Sequence, residues 1–160
     1  MSITPDLTIV PAHEQPLLDD AELLIREYAA SLPFDLGFQD LEEELATLPG
    51  SYAPPQGRLL VARSGGSSVG CVALRPLDHD TAELKRLWVR PEARRTGAGR
   101  LLVEHAIEQA RSAAYARIRL DTTPGMEPAQ RLYRSFGFVE IPAYRPNPVA
   151  GTTYLELCLG

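Results

Sequence analysis

The sequence predicts a mixed α/β (α+β) fold, in which about seven strands form a twisted, mostly antiparallel sheet and about four helices cover it. Two observations predict this fold. The hydrophobic pattern changes from a period of 3.6 residues to a period of 2 near residue 58, which separates helices from strands. Farther along, a strand at residues 82–89, a helix after the arginine- and glycine-rich stretch at residues 90–100, and a strand at residues 117–121 form a central parallel β-α-β crossover, right-handed by the usual rule.

The first third of the chain contains one strand and two helical patterns. "DLTIVP" is a short strand that ends at a proline. Apolar residues then recur at helical spacing from Pro16 to about Ser31, and Pro33 stops this first helix. "FQDLEEELATLPG" predicts a second helix, and "SYAPPQG" after it is a loop. The apolar face of the second helix consists of Phe38, Leu41, Leu45 and Leu48.

The rest of the chain begins with three strands. "RLLVA", "VGCVALRPL" and "AELKRLWV" alternate, and the short turns "SGGSS" and "DHDT" make them an antiparallel meander. An amphipathic helix then covers Leu102 to about Ala113, and "ARIRLD" alternates as the next strand. "MEPAQRLYRSF" predicts the last helix, with Gly137 as the glycine that follows its C-cap. "FVEI" and "TTYLELCL" predict the final two strands.

Length, composition and charge narrow the class of protein. A chain of 160 residues predicts one domain over residues 1–160, large enough for a substantial core. Its 44% of hydrophobic and 23% of charged residues are ordinary for a soluble globular protein. A net charge of −5 argues against a general nucleic-acid binder, because the arginines near residues 90–100 form a local patch on an acidic body.

The sequence also predicts a cytoplasmic location without membrane association. "MSITPDLTIVPAHEQP" has neither the basic nor the apolar part of a secretory signal. No apolar run approaches the roughly 20 residues that a membrane helix needs. Cys71 and Cys158 lie in strand-like runs, which is typical of buried thiols in a reducing cytoplasm. Without a neighbouring histidine pattern they predict no zinc site, and no metal is expected.

The stretch "RPEARRTGAGRLLVEH", residues 90–105, carries the main functional signal. Arginines and two glycines precede a helix whose first N–H groups have no internal partner and attract anions. Gly97 and Gly99 allow a phosphate to approach the backbone closely. Arg94, Arg95 and Arg100 can supply charge-assisted hydrogen bonds. The stretch follows the carboxyl end of a strand that enters a helix, where open sheets bind ligands.

Two other interpretations of this loop stay open. It can be a solvated basic loop whose glycines serve only the turn geometry, because short glycine motifs often match by chance. A dinucleotide-binding fingerprint is disfavoured, since "GAGRLL" supplies two glycines and Leu102 stands where the third belongs.

Two segments together form a more specific pattern. "LKRLWVRPEARRTGAGRLLVEHAIEQA" contains R/Q-x-x-G-x-G/A after a strand that ends in V-x-P, and "AQRLYRSFGFVEI" contains A-x-x-L-Y-x-x-x-G-F. In these motifs and in the order of its elements, nearly the whole chain resembles the GNAT superfamily of acyl-CoA-dependent N-acetyltransferases. Met126 departs from the pattern, since many members have an asparagine there that contacts the cofactor.

The resemblance implies that acetyl-CoA binds as the cosubstrate, with its diphosphate on the N–H groups of residues 95–100. The residues that it assigns to this binding are Trp88, Val89, Arg94, Arg95, Thr96, Gly97, Ala98, Gly99, Arg100, Met126, Ala129 and Tyr133.

Amide formation from an amine and a thioester needs a base for the ammonium, a donor to the oxyanion and an acid for the leaving thiolate. The resemblance places the base at Glu83, often acting through water, and the donor at the backbone N–H of Val89 or its neighbour. Tyr133 is the expected acid, because a phenol with a pKa near 10 can protonate a thiolate whose conjugate acid has a pKa near 8.5. Alternatively, Glu83 is a solvated carboxylate paired with Lys85 or Arg86, and Tyr133 is a core residue whose hydroxyl is bonded to the backbone.

The expected function is transfer of an acetyl group from acetyl-CoA to a primary amine of a small molecule, amino acid or peptide, by direct attack in a ternary complex. A packed Cys71 disfavours an acyl-enzyme route. The alternative is a non-catalytic acyl-CoA-binding sensor or partner module on the same fold. The sequence does not identify the amine acceptor, and it leaves a homodimer open. "DLEEELA" is either a solvated helix face or a segment that attracts a cationic amine.

Overall fold

A computed structural model of the chain describes residues 6–35 and 40–160. The strands in this part of the chain are β1 (Leu7–Pro11), β2 (Arg58–Ser64), β3 (Ser67–Pro76), β4 (Thr81–Val89), β5 (Arg117–Thr122), β6 (Val139–Ile141) and β7 (Thr153–Cys158). The α-helices are α1 (Leu17–Ser31), α2 (Leu41–Ala46), α3 (Ala98–Ser112) and α4 (Glu127–Ser135). The strands form one sheet in the order β1-β2-β3-β4-β5-β7-β6. Its neighbouring strands are antiparallel, except for the parallel pair of β4 and β5.

This architecture confirms the predicted mixed sheet with its parallel crossover. From β4 the chain passes through a 3₁₀ turn at Pro91–Ala93 into α3, which returns it to β5. The apolar residues that recur along α3 are the ones the structure buries, because they face the sheet.

The sheet separates two apolar clusters. One lies under α3 and α4, and the strand residues in it include Val72, Leu74, Ala82, Leu84, Ile118 and Leu120. The other lies under α1 and α2, and its strand residues are Leu59, Val61, Cys71 and Ala73. Because side chains alternate along a strand, Glu83 and Lys85 of β4 face the α1 side of the sheet.

Two expectations differ from the structure. The second helix is shorter than its pattern, because Asp40 before it has a left-handed backbone (φ 53°) and the Thr47 hydroxyl donates to the Glu43 carbonyl where it ends. Phe38, predicted on the same helix face, lies outside the described residues. Cys158 is exposed, since it is the last residue of β7, whereas Cys71 is buried as predicted.

No helix in residues 6–35 and 40–160 has both the length and the apolar character needed to cross a bilayer.

Candidate active site

The strands β4 and β5 separate in the middle of the sheet. Their parallel pairing joins only three residue pairs, which end at Glu83↔Arg119. Beyond this point β4 continues beside β3, and β5 continues beside β7. Among residues 6–35 and 40–160, backbone groups on the two facing edges therefore have no strand partner, and the gap can accept an extended ligand.

A β-bulge lies near the inner end of this gap. The register between β3 and β4 shifts there, so that Arg86 and Leu87 lie opposite the single residue Val72. Arg86 has a φ of 65°, which is uncommon for a residue with a side chain. Bulges are frequent next to active sites because they re-aim side chains and interrupt strand pairing.

The gap opens into a cleft of about 970 Å³. The second half of β4, the end of β5, the N-terminus of α3 and the inner side of α4 form most of its walls. The end of α1 and the residues after it form the remaining side, through Tyr28, Ser31, Leu32 and Pro33.

The N-terminus of α3 is accessible from this cleft. Its N-cap residue, Gly97, has a φ of 93° and supplies no capping side chain. A Cβ built on Gly97 meets no atom within 4 Å, whereas one on Gly99 lies 3.6 Å from Leu132 and 3.8 Å from Val89. The N–H of Leu101 is bonded to the Gly97 carbonyl, so the N–H groups of residues 98–100 stay available to a ligand.

Arginines surround this helix end. Arg94 lies 5.0 Å over the Trp88 ring, and Arg100 is bound to α4 by a hydrogen bond of 3.1 Å. Arg95 and Arg131 are exposed and also line the cleft. The rim thus combines helix N–H groups with guanidinium groups, a combination suited to phosphate.

All residues predicted to bind the cofactor line the cleft, except Thr96. The Thr96 hydroxyl instead donates to the Ala93 carbonyl at 2.6 Å, which stabilises the turn before α3. Met126, at the position of the family's asparagine, is the N-cap residue of α4, and its sulfur lies 3.8 Å from the Thr122 hydroxyl. Binding of a cofactor by these residues stays a prediction.

Tyr133 reaches the cleft from α4. It is 6% exposed, and its ring packs against Phe138 with 5.6 Å between the ring centres. Burial, followed by the nearby Tyr28 and Asp121, raises the pKa of Tyr133, so its phenol is protonated at neutral pH. Within the described residues its hydroxyl makes no hydrogen bond to protein, which leaves it available to a ligand.

Glu83 is buried in a cluster of its own. It is 1% exposed and is absent from the described lining of the cleft. One carboxylate oxygen accepts from Arg75 at 2.8 Å, and the other accepts from the Tyr144 hydroxyl at 2.7 Å and pairs with Arg145. Its partners come from β3 and from the β6–β7 loop, rather than from its neighbours on β4. A role of Glu83 as the base stays a prediction, and it would have to act from this ion pair.

Two residues that sequence reasoning missed lie at the inner end of the gap. The next positions on the α1 side after the last β4–β5 pair are Lys85 and Asp121, and both line the cleft. Lys85 is 8% exposed, and burial, helped by two nearby arginines, lowers its pKa to about 7. A signal was present in the sequence, because Lys85 is the only lysine among the 16 lysine and arginine residues.

Ion pairs attach α2 to β4, and α1 to the residue that follows β4, beside the cleft. Arg86 donates to both carboxylate oxygens of Glu44, at 3.0 and 2.9 Å. Arg90 binds Glu27 in the same way, and these bonds lower the pKa of Glu27. The segment "DLEEELA" is therefore only partly a solvated face, because Glu44 is 15% exposed and bound to the sheet.

Asp78, His79 and Asp80 form a separate group in the β3–β4 turn, with ligand atoms within 4.8 Å of one another. The Asp78 carboxylate accepts from the N–H groups of Asp80 and Thr81 and thereby closes the turn. These hydrogen bonds explain why the three side chains lie together, since they belong to the structure of the turn.

The sequence profile of the Acetyltransferase (GNAT) family matches residues 21–138. The chain belongs to the GNAT family. Among its relatives is an uncharacterised N-acetyltransferase of Schizosaccharomyces pombe, 42% identical over 142 residues, with 88% of this chain and 87% of that protein covered. An IAA acetyltransferase of Azospirillum brasilense is 36% identical over 152 residues, with 91% and 95% covered.

Solved structures described as acetyltransferases have the same fold. An acetyltransferase of Streptococcus agalactiae has a TM-score of 0.73 at 22% identity, with 95% of this chain and 98% of that chain covered. The protein yncA of Salmonella typhimurium, solved with acetyl-CoA, has a TM-score of 0.67 at 20% identity, with 96% and 94% covered.

Proposed function

We propose that this GNAT protein is an N-acetyltransferase that moves the acetyl group of acetyl-CoA to a primary amine by direct attack in a ternary complex. The observation that carries the proposal is the continuous cleft from the N-terminus of α3, along the unpaired edge of β4, to Tyr133. Support also comes from relatives named as N-acetyltransferases and from two structures of the same fold that contain acetyl-CoA.

The cleft offers complementary groups to each part of the donor. The N–H groups of residues 98–100 and the rim arginines suit a diphosphate, and the open space over Gly97 lets it approach. The unpaired edge of β4 suits the amide groups of the donor's arm, in the way that an extended peptide adds to a strand. The thioester would then reach the inner end of the gap, beside Tyr133.

Tyr133 is the proposed acid for the leaving thiolate. Burial raises the pKa of its phenol, which therefore keeps its proton at neutral pH, and a buried thiolate beside it would be a ready acceptor because burial disfavours its charge. The end of α1 lines the other side of the cleft, from which the amine acceptor would enter. Glu83, in its ion pair outside the described cleft lining, has weaker support as the base.

The test is to follow thiol release from acetyl-CoA over a broad panel of primary amines, from about pH 6 to about pH 9. Release that requires both acetyl-CoA and one class of amine supports the proposal. Calorimetry measures acetyl-CoA binding in parallel. Binding without release at any pH would identify a non-catalytic acyl-CoA binder, and absence of binding would remove both functions.

A further inference from the structure

The inner end of the gap contains an amine and a carboxylate that the proposed acetyl transfer has not yet used. Lys85 and Asp121 follow directly after Glu83↔Arg119, the last residue pair between β4 and β5. They lie on the same face of their strands, at the narrow end of the cleft and on the side of α1. An acceptor that enters past α1 would meet this pair before it meets a thioester in the gap.

Charged and titratable groups from each surrounding element face Lys85. Arg86 on β4 and Arg75 on β3 repel its charge, whereas Asp121 on β5 and Glu44 on α2 attract it. Tyr28 on α1 and Tyr133 on α4 line the same cleft. Because burial and the arginines outweigh the carboxylates, the pKa of Lys85 falls to about 7.

The residue type at this position is unusual for the chain. Every other side chain among its 16 lysine and arginine residues is an arginine, which stays protonated in proteins. The neutral amine needed for proton abstraction is therefore available from Lys85 alone among these residues. The family's usual carboxylate position, Glu83, is held by Arg75, Arg145 and Tyr144.

We propose that Lys85, oriented by Asp121, is the base that takes the proton from the acceptor ammonium. The inference rests on the proposed acetyl transfer. Neutral Lys85 takes one proton and becomes an ammonium, and the freed amine forms a bond to the thioester carbon. The carbon–sulfur bond breaks, and the sulfur takes the Tyr133 proton. The nitrogen of the product, which still carries two protons of the original amine, gives one of them to the tyrosinate and becomes the amide N–H. Lys85 releases its proton to water.

The proposed reaction needs a base because very little of the acceptor amine is neutral at pH 7. An acceptor ammonium with a pKa near 10 is neutral in only about one molecule in a thousand at pH 7. A lysine that is about half neutral at this pH can take the proton on the enzyme, whereas a carboxylate with an ordinary pKa near 4.3 is a poor base for it.

The activity test compares wild type with Lys85→Met and Lys85→Arg, using thiol release at saturating acetyl-CoA. Wild-type kcat should rise with pH through a midpoint near 7. Both variants should lose about 10²-fold or more at pH 7, and their rates should follow the free amine up to higher pH. Thermal melting and acetyl-CoA calorimetry show whether each variant is folded and binds its donor.

The Lys85→Arg variant distinguishes a base from a fixed positive charge, because arginine keeps the charge but stays protonated. If Lys85→Arg retains wild-type kcat while Lys85→Met does not, Lys85 acts as a fixed cation and the proposal is overturned. Retention of the midpoint near 7 in both variants, with its loss in Glu83→Gln, would assign the base to Glu83 instead. If wild type releases no thiol with any amine, the acetyl transfer itself fails, which is a different result from an unchanged pH profile.

A second measurement does not depend on turnover. Because the chain has one lysine, protein labelled with ¹³C at the lysine ε-carbon gives a single side-chain signal, whose chemical shift reports protonation. In wild type it should titrate near pH 7, and in Asp121→Asn the midpoint should fall, because a favourable charge is removed. A midpoint near 10.5 in the folded protein would overturn the proposal.

Discussion

At the scale of single residues, Tyr133 and Lys85 are both buried, and burial favours the neutral form of each. The pKa of Tyr133 is raised and that of Lys85 is lowered. One side chain therefore keeps a proton that it can donate, and the other is ready to accept one near neutral pH. Two titratable groups whose pKa values are displaced in opposite directions within one cleft are typical of acid–base pairs.

Replacement of Tyr133 by Phe should separate catalysis from packing. The ring and its contact with Phe138 remain, so the melting temperature and the Kd for acetyl-CoA should change little. Loss of the hydroxyl should lower kcat by about 10²-fold or more, because the interaction is confined to the transition state. Single-turnover thiol release and calorimetry measure the two effects. A lower melting temperature with unchanged kcat would make Tyr133 purely structural.

Lys85 should also couple stability to pH. The unfolded chain holds its lysine proton up to about pH 10.5, whereas the folded protein releases it near pH 7, so the unfolded state binds more protons between these values. The free energy of unfolding should therefore rise with pH in this window, by up to about 1.4 kcal/mol per pH unit from this group. Lys85→Met should lack this contribution.

Urea unfolding of wild type and Lys85→Met, from about pH 6 to about pH 9, measures the contribution of Lys85 as the difference between their free energies of unfolding. Other titrating groups, such as the buried Cys71 thiol, cancel in the comparison. The free energy of unfolding of Lys85→Met, relative to that of wild type, should be greatest at low pH. This difference should shrink as pH rises. A difference that stays constant across the window would mean that Lys85 titrates at its ordinary pKa.

At the scale of elements, the N-terminus of α3 was predictable because its signals are local. Glycine spacing, arginine content and helical period are all present in residues 90–105. The extent of α2 was not predictable, since the left-handed backbone of Asp40 sets the start of the helix at Leu41, inside its predicted pattern. Lys85 was missed because the family resemblance points to Glu83, two residues earlier on the same face of β4, and the end of the β4–β5 pairing that separates the two positions is seen in the structure.

Substitutions at Gly97 and Gly99 should test the helix end. Gly97→Ala strains a positive φ by about 1 kcal/mol, and its methyl group enters the open space proposed for the diphosphate. Gly99→Val adds bulk beside Leu132 and Val89. Both should weaken acetyl-CoA binding about 10-fold or more in calorimetry, while the circular dichroism spectrum stays that of a folded protein.

The β2–β3 hairpin supplies the matched control. Gly66 has a φ of 86°, and a Cβ there also meets no atom within 4 Å. Gly66→Ala should cost similar stability and leave acetyl-CoA affinity unchanged. Equal affinity in wild type and a folded Gly99→Val variant would contradict the assignment of the diphosphate site.

At the scale of the whole molecule, the Glu83 cluster joins parts of the chain that are distant in sequence. Arg75 comes from β3, while Tyr144 and Arg145 come from the loop between β6 and β7. Glu83 itself is in the last residue pair between β4 and β5. The cluster therefore stabilises the sheet at the junction of its two halves, which only three residue pairs join.

Glu83→Gln should lower the free energy of unfolding by about 3 kcal/mol or more, because two arginines lose their buried carboxylate. Urea denaturation measures this loss. Glu22→Gln is the control, since Glu22 is half-exposed and its pair with Arg26 within α1 should contribute little. Full stability of Glu83→Gln together with a displaced pH–rate midpoint would return Glu83 to the role of base.

The burial of the chain's one lysine has a further consequence under the proposed transfer of acetyl groups to amines. Exposed lysines on such a protein would compete with the acceptor and become modified by neighbouring copies. Arginine, whose guanidinium does not lose its proton, supplies every other cationic side chain of this sequence apart from histidine and is not a nucleophile at neutral pH. The surface can thus carry positive charge for an anionic donor without offering a lysine amine to self-acetylation.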